Sequence, residues 1–171
     1  MPTFKSNLSA SGLRKLKQDI DRYNNSLTYK CQMLVQRLAQ IGVEVARVQI
    51  VDFDAVFTTE LLQSIHSEYG GAIKNGGIYF VVASSEHAIF VEMGTGQVGA
   101  KTPYPGKLPA VYAQGPTIHH TKDGKYGWFY PGDDGRWYFT EGMPSRPFMY
   151  NTTLELMAQI PAIAKEIFGS G

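Results

Sequence analysis

Between Ser26 and Val48 the apolar residues Leu27, Cys31, Leu34, Leu38, Ile41, Val45 and Val48 follow one another in steps of 4, 3, 4, 3, 4 and 3. That spacing keeps one narrow stripe on a single side of an α-helix. A strand cannot carry it, because a strand returns every second residue to the same face. The other faces of the helix are polar, so the stripe buries on one neighbour. Two neighbours fit: a sheet that the helix lies across, or a copy of the helix in an oligomer. Upstream, Leu13, Leu16, Ile20 and Tyr23 repeat at three and four, with Ser9 or Ser11 placed to cap. Asn24, Asn25 and Ser26 are weak helix formers, and Ser26 can start a segment of its own. The pattern predicts a long helix or a helix pair over residues 9–50.

This helical third is also where positive charge collects. Residues 1–50 hold eight Lys/Arg and three Asp/Glu, a net of +5, and the remaining residues hold eight and twelve, a net of −4. Such asymmetry marks either a solvated helix face or a surface turned to nucleic acid or an acidic partner. No apolar run approaches the roughly 18 residues of a membrane span. The start, MPTFKSNLSASG, lacks the apolar core of a signal peptide. A cytoplasmic site of synthesis and no membrane partner are therefore expected. Cys31 is the only cysteine, so no disulfide can form within the chain.

The middle of the chain reads as β. In SIHSEYGGAI (64–73), Ile65, Ser67 and Tyr69 alternate with His66, Glu68 and Gly70. KNGG (74–77) supplies a turn, and GIYFVVAS (77–84) reads as a buried strand, which makes a hairpin. SSEHAIFVEMG (84–94) reads as a short helix capped by Ser84 or Ser85 and closed by Gly94 in a left-handed conformation. Residues 94–125 are rich in Gly and Pro and read as loop. Trp128, Phe129, Tyr130 and Trp137, Tyr138, Phe139 flank PGDDG in a second hairpin, with Asp133, Asp134 and Gly135 in its turn. The C-terminal segment carries a helix with Phe148, Thr152, Leu156, Ile160, Ile163 and Ile167 on one side, which Pro161 kinks or restarts. The fold class is α+β: a long N-terminal helix or helix pair, a small antiparallel sheet with a hairpin insertion at 97–141, and a C-terminal helix, within one domain spanning 1–171.

The stretch GTGQVGAKT (94–102) has the glycine spacing of a phosphate loop. A phosphate loop needs its Lys directly after the last Gly, and here Ala100 intervenes before Lys101. Pro103, Pro105 and Pro109 then prevent a helix from starting at Gly99 and continuing, which a dinucleotide site needs. Neither nucleotide nor other cofactor is expected. His119 and His120 would point to opposite faces of a strand, with no third ligand near in sequence. Asp133 and Asp134 are turn chemistry, and Cys31 sits in the apolar stripe. No metal site and no catalytic residue is expected. Six aromatics alternating across one hairpin put some on each face. One face covers a core, and the other is free for an interface, a stacked nucleic acid or a carbohydrate.

Three stretches, taken in order, resemble the neck or head–tail joining proteins of long-tailed phages, a family of minor tail and tail-completion components. TTELLQSI (58–65) is similar at Thr58, Leu61, Ser64 and Ile65, with Thr59 where Gly is usual. HAIFVEMGTG (87–96) is similar at Ala88, Val91, Glu92, Gly94, Thr95 and Gly96, with His87 where Tyr is usual. GMPSRPFMYNTTLEL (142–156) is similar at Gly142, Pro144, Pro147 and Phe148. The set covers roughly residues 10–168. The resemblance implies a non-enzymatic virion protein that joins the head connector to the tail as a ring of identical subunits, hexameric by analogy. Neighbouring head-connector and tail-terminator or tail-tube proteins would be its partners, and DNA would pass through the lumen without sequence-specific contact. Structural roles are expected for Glu92, Gly94, Thr95, Gly96, Pro147 and Phe148. Interface roles are expected for Trp128, Tyr130, Trp137, Tyr138 and Arg146. The alternatives are a nucleic-acid-binding or nuclease-like accessory protein and a carbohydrate-binding module.

Overall fold

A computed structural model describes residues 3–7, 9–55, 59–109, 112, 119–120, 123–132 and 134–169. Thr58 and Asp133 lie outside them, as do the side chains of His119 and His120. The N-terminal third is one helix, α1 (Ala10–Asp52). Of the two arrangements the pattern allows, the single long helix is the one formed, with no break at Asn24–Ser26. Asn and Ser lower helix stability by only tenths of a kcal/mol each, and no Gly or Pro stands between Leu13 and Ile41 to add to them. At ~1.5 Å per residue this helix is ~65 Å long. A folded domain of this size has a radius of gyration of only ~16 Å, so one end of α1 must outrun the body.

Ser9 caps α1: its hydroxyl accepts from the Gly12 N–H at 3.1 Å. Ser9→Ala should remove ~1 kcal/mol of local helix stability. Because residues near Ser9 have little to pack on, the loss should appear as faster amide exchange over residues 10–16 with an unchanged melting temperature. A lowered global melting temperature would mean that this end is packed more tightly than its exposure indicates.

The buried residues of α1 are Ala39, Gly42, Ala46 and Ile50. This line lies one residue, or about 100°, from the predicted stripe. The stripe residues Ile41 and Val45 are only half-buried, and Val48 is exposed. The physical reason is close approach. A Cβ on Gly42 would come within 2.8 Å of Val81 and 3.0 Å of Leu156, so hairpin, helix and C-terminal helix meet where α1 has least side chain. Arg47, a residue with no special sequence signal, reinforces the contact by donating to the carbonyls of Leu62 and Ile65 at 3.3 and 2.8 Å.

A short helix α2 (Thr59–Ser64) leads into β1 (Ile65–Ile73), which pairs antiparallel with β2 (Gly76–Ala83) around a two-residue turn. The predicted alternation holds to Tyr69, and a bulge between Tyr69 and Gly71 then resets it. β2 is not the buried strand expected. A two-stranded sheet has only one face on α1, and Ile78 and Phe80 on β2 are exposed. After β2 the predicted capped helix is shorter: α3 (Ala88–Met93) follows a turn in which Ala88 N–H donates to Ser85 O. The glycine stretch, expected as pure loop, instead opens α4 (Gly96–Lys101).

A second sheet orders β3 (His119–His120), β4 (Tyr126–Pro131) and β5 (Trp137–Thr140) side by side, all antiparallel. A two-residue strand β6 (Gly142–Met143) meets Thr95 and Gly96. Helix α5 (Phe148–Gly169) then runs antiparallel to α1, pairing Asn151 with Gln49 and Glu166 with Arg37. It continues unbroken through Pro161. Phe148, Thr152, Ile163 and Ile167 are buried as expected, Leu156 is half-buried, and Ile160 is exposed. The core joins Ala46, Ile50, Ala55, Leu61, Ile65, Ala88, Val91 and Phe148. Among the described residues no helix is long and apolar enough to cross a membrane.

Candidate functional site

Helix α5 begins directly after Pro147, whose side chain has no group that can accept a hydrogen bond. The first N–H groups of a helix need an acceptor. Here it comes from elsewhere in the chain. Ala88 and Val91 anchor α3 in the core, and this aims the neighbouring Glu92 at the start of α5. Its two carboxylate oxygens accept from the N–H groups of Met149 and Tyr150 at 2.8 and 2.9 Å, across 57 and 58 residues of sequence. Negative charge at a helix N-terminus is favourable.

Glu92 is buried, and burial pushes its carboxyl above the ordinary value. The donated N–H groups of Met149 and Tyr150, and then the Tyr104 hydroxyl, pull it partly back. Tyr104 is in turn pushed up to about 12, first by burial and then by the Glu92 charge. A raised carboxyl pKa means that the folded state holds its proton more tightly than the unfolded chain. Its contribution is then complete below the ordinary value of 4.5 and is lost as pH rises through the raised one. Glu92→Gln has one acceptor oxygen for the two N–H groups and should be the less stable protein at pH 4, but it stays neutral throughout, so the gap to wild type should narrow on going from pH 4 to pH 7 in urea denaturation. Parallel pH profiles for the two proteins would contradict this assignment.

The segment 142–147 locks onto the same corner. Ser145 Oγ donates to Glu92 O at 2.7 Å, and Arg146 N–H donates to Val91 O at 2.9 Å. Thr95 Oγ1 accepts from Met143 N–H at 3.1 Å. Thr102 Oγ1, at the end of α4, accepts from Ser145 N–H at 3.2 Å. Gly94 has φ +73° and ψ 163°, a region essentially confined to glycine, rather than the left-handed helical cap predicted. A Cβ there would lie 2.5 Å from Ser145 N and 3.0 Å from Met143 O. At Gly96 a Cβ would meet the Glu141 carbonyl and the Trp128 ring. Glu92, Gly94, Thr95, Gly96, Pro147 and Phe148 thus lie together at one junction. The motif glycines are required by backbone crossing backbone.

The aromatic hairpin divides as its register dictates. Trp128 opposite Thr140 and Tyr130 opposite Tyr138 share one face, and Phe129 opposite Phe139 and Pro131 opposite Trp137 share the other. Trp128 is half-buried over Gly96, whereas Trp137 is 67% exposed. The two tryptophans given interface roles are therefore on opposite faces of the hairpin. Tyr130 and Tyr138 are exposed, and the Tyr138 hydroxyl donates to Asp134 at 2.9 Å. Arg146 is half-buried beside α3 and sits on the junction, not on the hairpin.

Sequence reasoning named Glu92 as a motif position and missed its role as a cap. The missing side-chain acceptor at Pro147 is legible in S-R-P-F, but the residue that supplies one is not, because water or a local group can serve the same N–H groups. Comparison with protein families, with curated proteins and with solved structures finds no match to this chain.

Proposed function

We propose that this chain is a structural subunit of the tailed-phage neck, joining the head connector to the tail as a ring. The observation that carries the reading is the junction. Two of the three stretches that resemble the family, 87–96 and 142–156, meet there side by side, Glu92 capping α5 and Gly94 passing under Ser145. Short motifs matched by chance have no reason to meet in space. Unpartnered apolar surface also favours a subunit over a solitary domain. Tyr69, Phe80, Trp137 and Met157 are more than half exposed on separate elements, and aromatic and methionine side chains are enriched where proteins meet.

The work of such a protein is shape. Identical subunits contacting head to tail close into a ring when the rotation permits, and a lumen then passes duplex DNA with only weak, non-specific contact. Native mass spectrometry of the purified chain should give a closed oligomer, with six copies of the 19.0 kDa subunit as the expected count. Negative-stain images should show rings. A monomer with metal-dependent nuclease activity or salt-sensitive DNA affinity would replace this reading with the accessory-enzyme one. Specific oligosaccharide binding at the aromatic hairpin would replace it with the carbohydrate-binding one.

A further inference from the structure

The N-terminal part of α1 has little of its own chain to pack on. Every buried residue of the helix lies between Ala39 and Ile50, and from Ala10 to Ser26 only Gly12, Leu16 and Asp19 are even half-buried. Leu13 is 48% exposed, and Ile20 and Tyr23 are exposed on the same stripe. Phe4 extends this stripe by setting its ring edge-on to Tyr23 at 5.7 Å. Most helical stability in proteins comes from packing an apolar face, and this stretch, rooted at Asn24–Asn25–Ser26, packs little of its own.

The β1–β2 hairpin has the opposite deficiency. Val81 faces α1 at Gly42, so Ile78, Phe80 and Val82 face away from the helix. Ile78 is exposed, and Phe80 is 52% exposed where it lies over Gly70. Glu68 stands opposite Phe80 in the register and holds His66 at 2.8 Å. A two-stranded sheet with a bare apolar face is incomplete. Its length matches the arm: eight residues of β2 span ~27 Å at ~3.3 Å each, and 17 helical residues span ~26 Å.

Charge selects between occupants. Residues 10–26 hold four Lys/Arg and two Asp/Glu, a net of +2, with Lys5 just ahead of them, whereas residues 48–100 hold only Lys74 against six acids, a net of −5. Five of those acids, Asp52, Asp54, Glu60, Glu68 and Glu86, are exposed around the hairpin and its base, and the sixth is the buried Glu92. Two arms would repel each other. The arm cannot reach its own hairpin's outer face, because the same continuous helix already covers the inner one. Duplex DNA would meet the arm's charges but leave Leu13, Ile20 and Tyr23 unpaired and face Asp19 and Asp21.

We propose that residues 10–26 of α1 dock onto the outer face of the β1–β2 hairpin in a second copy of this chain, with Leu13, Ile20 and Tyr23 against Ile78 and Phe80 and the basic residues Arg14, Lys15, Lys17 and Arg22 beside Glu68 and its acidic neighbours. The contact is heterologous, arm to face, and so leaves a free arm and a free face for the next copy. It rests on the ring part of the proposed function and on nothing specific to phages.

Full-length Ile20→Glu and Phe80→Glu test it, since both positions are exposed and each change spoils one half of the contact. Sedimentation velocity should show each variant alone as a monomer with wild-type circular dichroism. Mixed in equal amounts they should form a one-to-one pair, because the Phe80→Glu chain keeps an arm and the Ile20→Glu chain keeps a face. Glu68→Lys should weaken wild-type association several-fold at low salt and little at high salt. If wild type assembles but the mixture does not pair, the ring reading stands and this contact is wrong. If wild type stays monomeric at about 100 µM, well above the Kd of a stable interface, both are wrong. If Ile20→Glu assembles normally and loses only salt-sensitive binding to a DNA duplex, the arm is a nucleic-acid contact and the proposal falls.

Discussion

Phe148→Ala is expected to cost about 3–5 kcal/mol of stability, the range for removing a large buried aromatic. Phe148 is fully buried, and the residues around it come from four separate elements: Ala46 and Ile50 from α1, Leu61 from α2, Ile65 from β1, and Ala88 and Val91 from α3. Walls fixed by four elements cannot close together on the space left behind. Two of them, Ala46 and Ala88, are already alanine and have no side chain to swing into it. For a protein of this size the loss corresponds to roughly 6–20 °C in melting temperature. Phe148 is also the first residue of α5, so the same substitution loosens the seat on which Glu92 holds Met149 and Tyr150. Leu154→Ala, exposed on the same helix, should stay within about 0.5 kcal/mol of wild type. A folded Phe148→Ala protein that melts like wild type but fails to assemble would move this residue from the core to a subunit contact.

Gly94→Val should be comparably damaging, by roughly 3 kcal/mol or more. The conformation at φ +73° and ψ 163° costs a residue with a side chain about 1–3 kcal/mol by itself. The new Cβ would also press on Ser145 N, Met143 O and the Pro144 carbonyl carbon, all backbone atoms that cannot rotate aside. Relief requires moving segment 142–146 away from α3, which would break the Ser145 and Arg146 hydrogen bonds to Glu92 and Val91. Gly135 provides the control, since it has φ +75° and a Cβ there would meet nothing within 4 Å. Chemical denaturation of Gly94→Ala and Gly135→Ala should therefore differ, with only the first losing more than the strain term. Equal losses would show that the backbone angle alone, and not the crossing of two segments, explains the glycine.

The arm contact lies on the subunit's surface and the junction in its interior, so mutants of the two should differ in kind. Changes at Glu92, Gly94 or Phe148 act on a folded subunit's interior and should lower stability before assembly is measured. Changes at Ile20, Glu68 or Phe80 lie on exposed faces and should leave the melting temperature of the isolated subunit nearly untouched. A screen that records both quantities separates the two classes without reference to any partner.

Local signals were enough to place most elements. A 3–4 apolar spacing marked the long N-terminal helix, alternation around KNGG marked the first hairpin, PGDDG marked the second, and S-R-P-F marked the start of the last helix. These patterns report on neighbours a few residues apart, where backbone geometry alone fixes which side chains share a face. Three features were decided only by the tertiary structure. The buried face of α1 is the line Ala39, Gly42, Ala46 and Ile50, not the more apolar heptad stripe, because close approach of Val81 and Leu156 rewards the absence of side chain, which hydrophobic spacing does not register. The outer face of β2 leaves Ile78 and Phe80 exposed because α1 packs on the opposite face of the two strands. Glu92 became the cap of α5 because the fold brings residues 57 apart to 2.8 Å, and an acceptor supplied from that distance leaves no trace in the sequence beside the helix it caps.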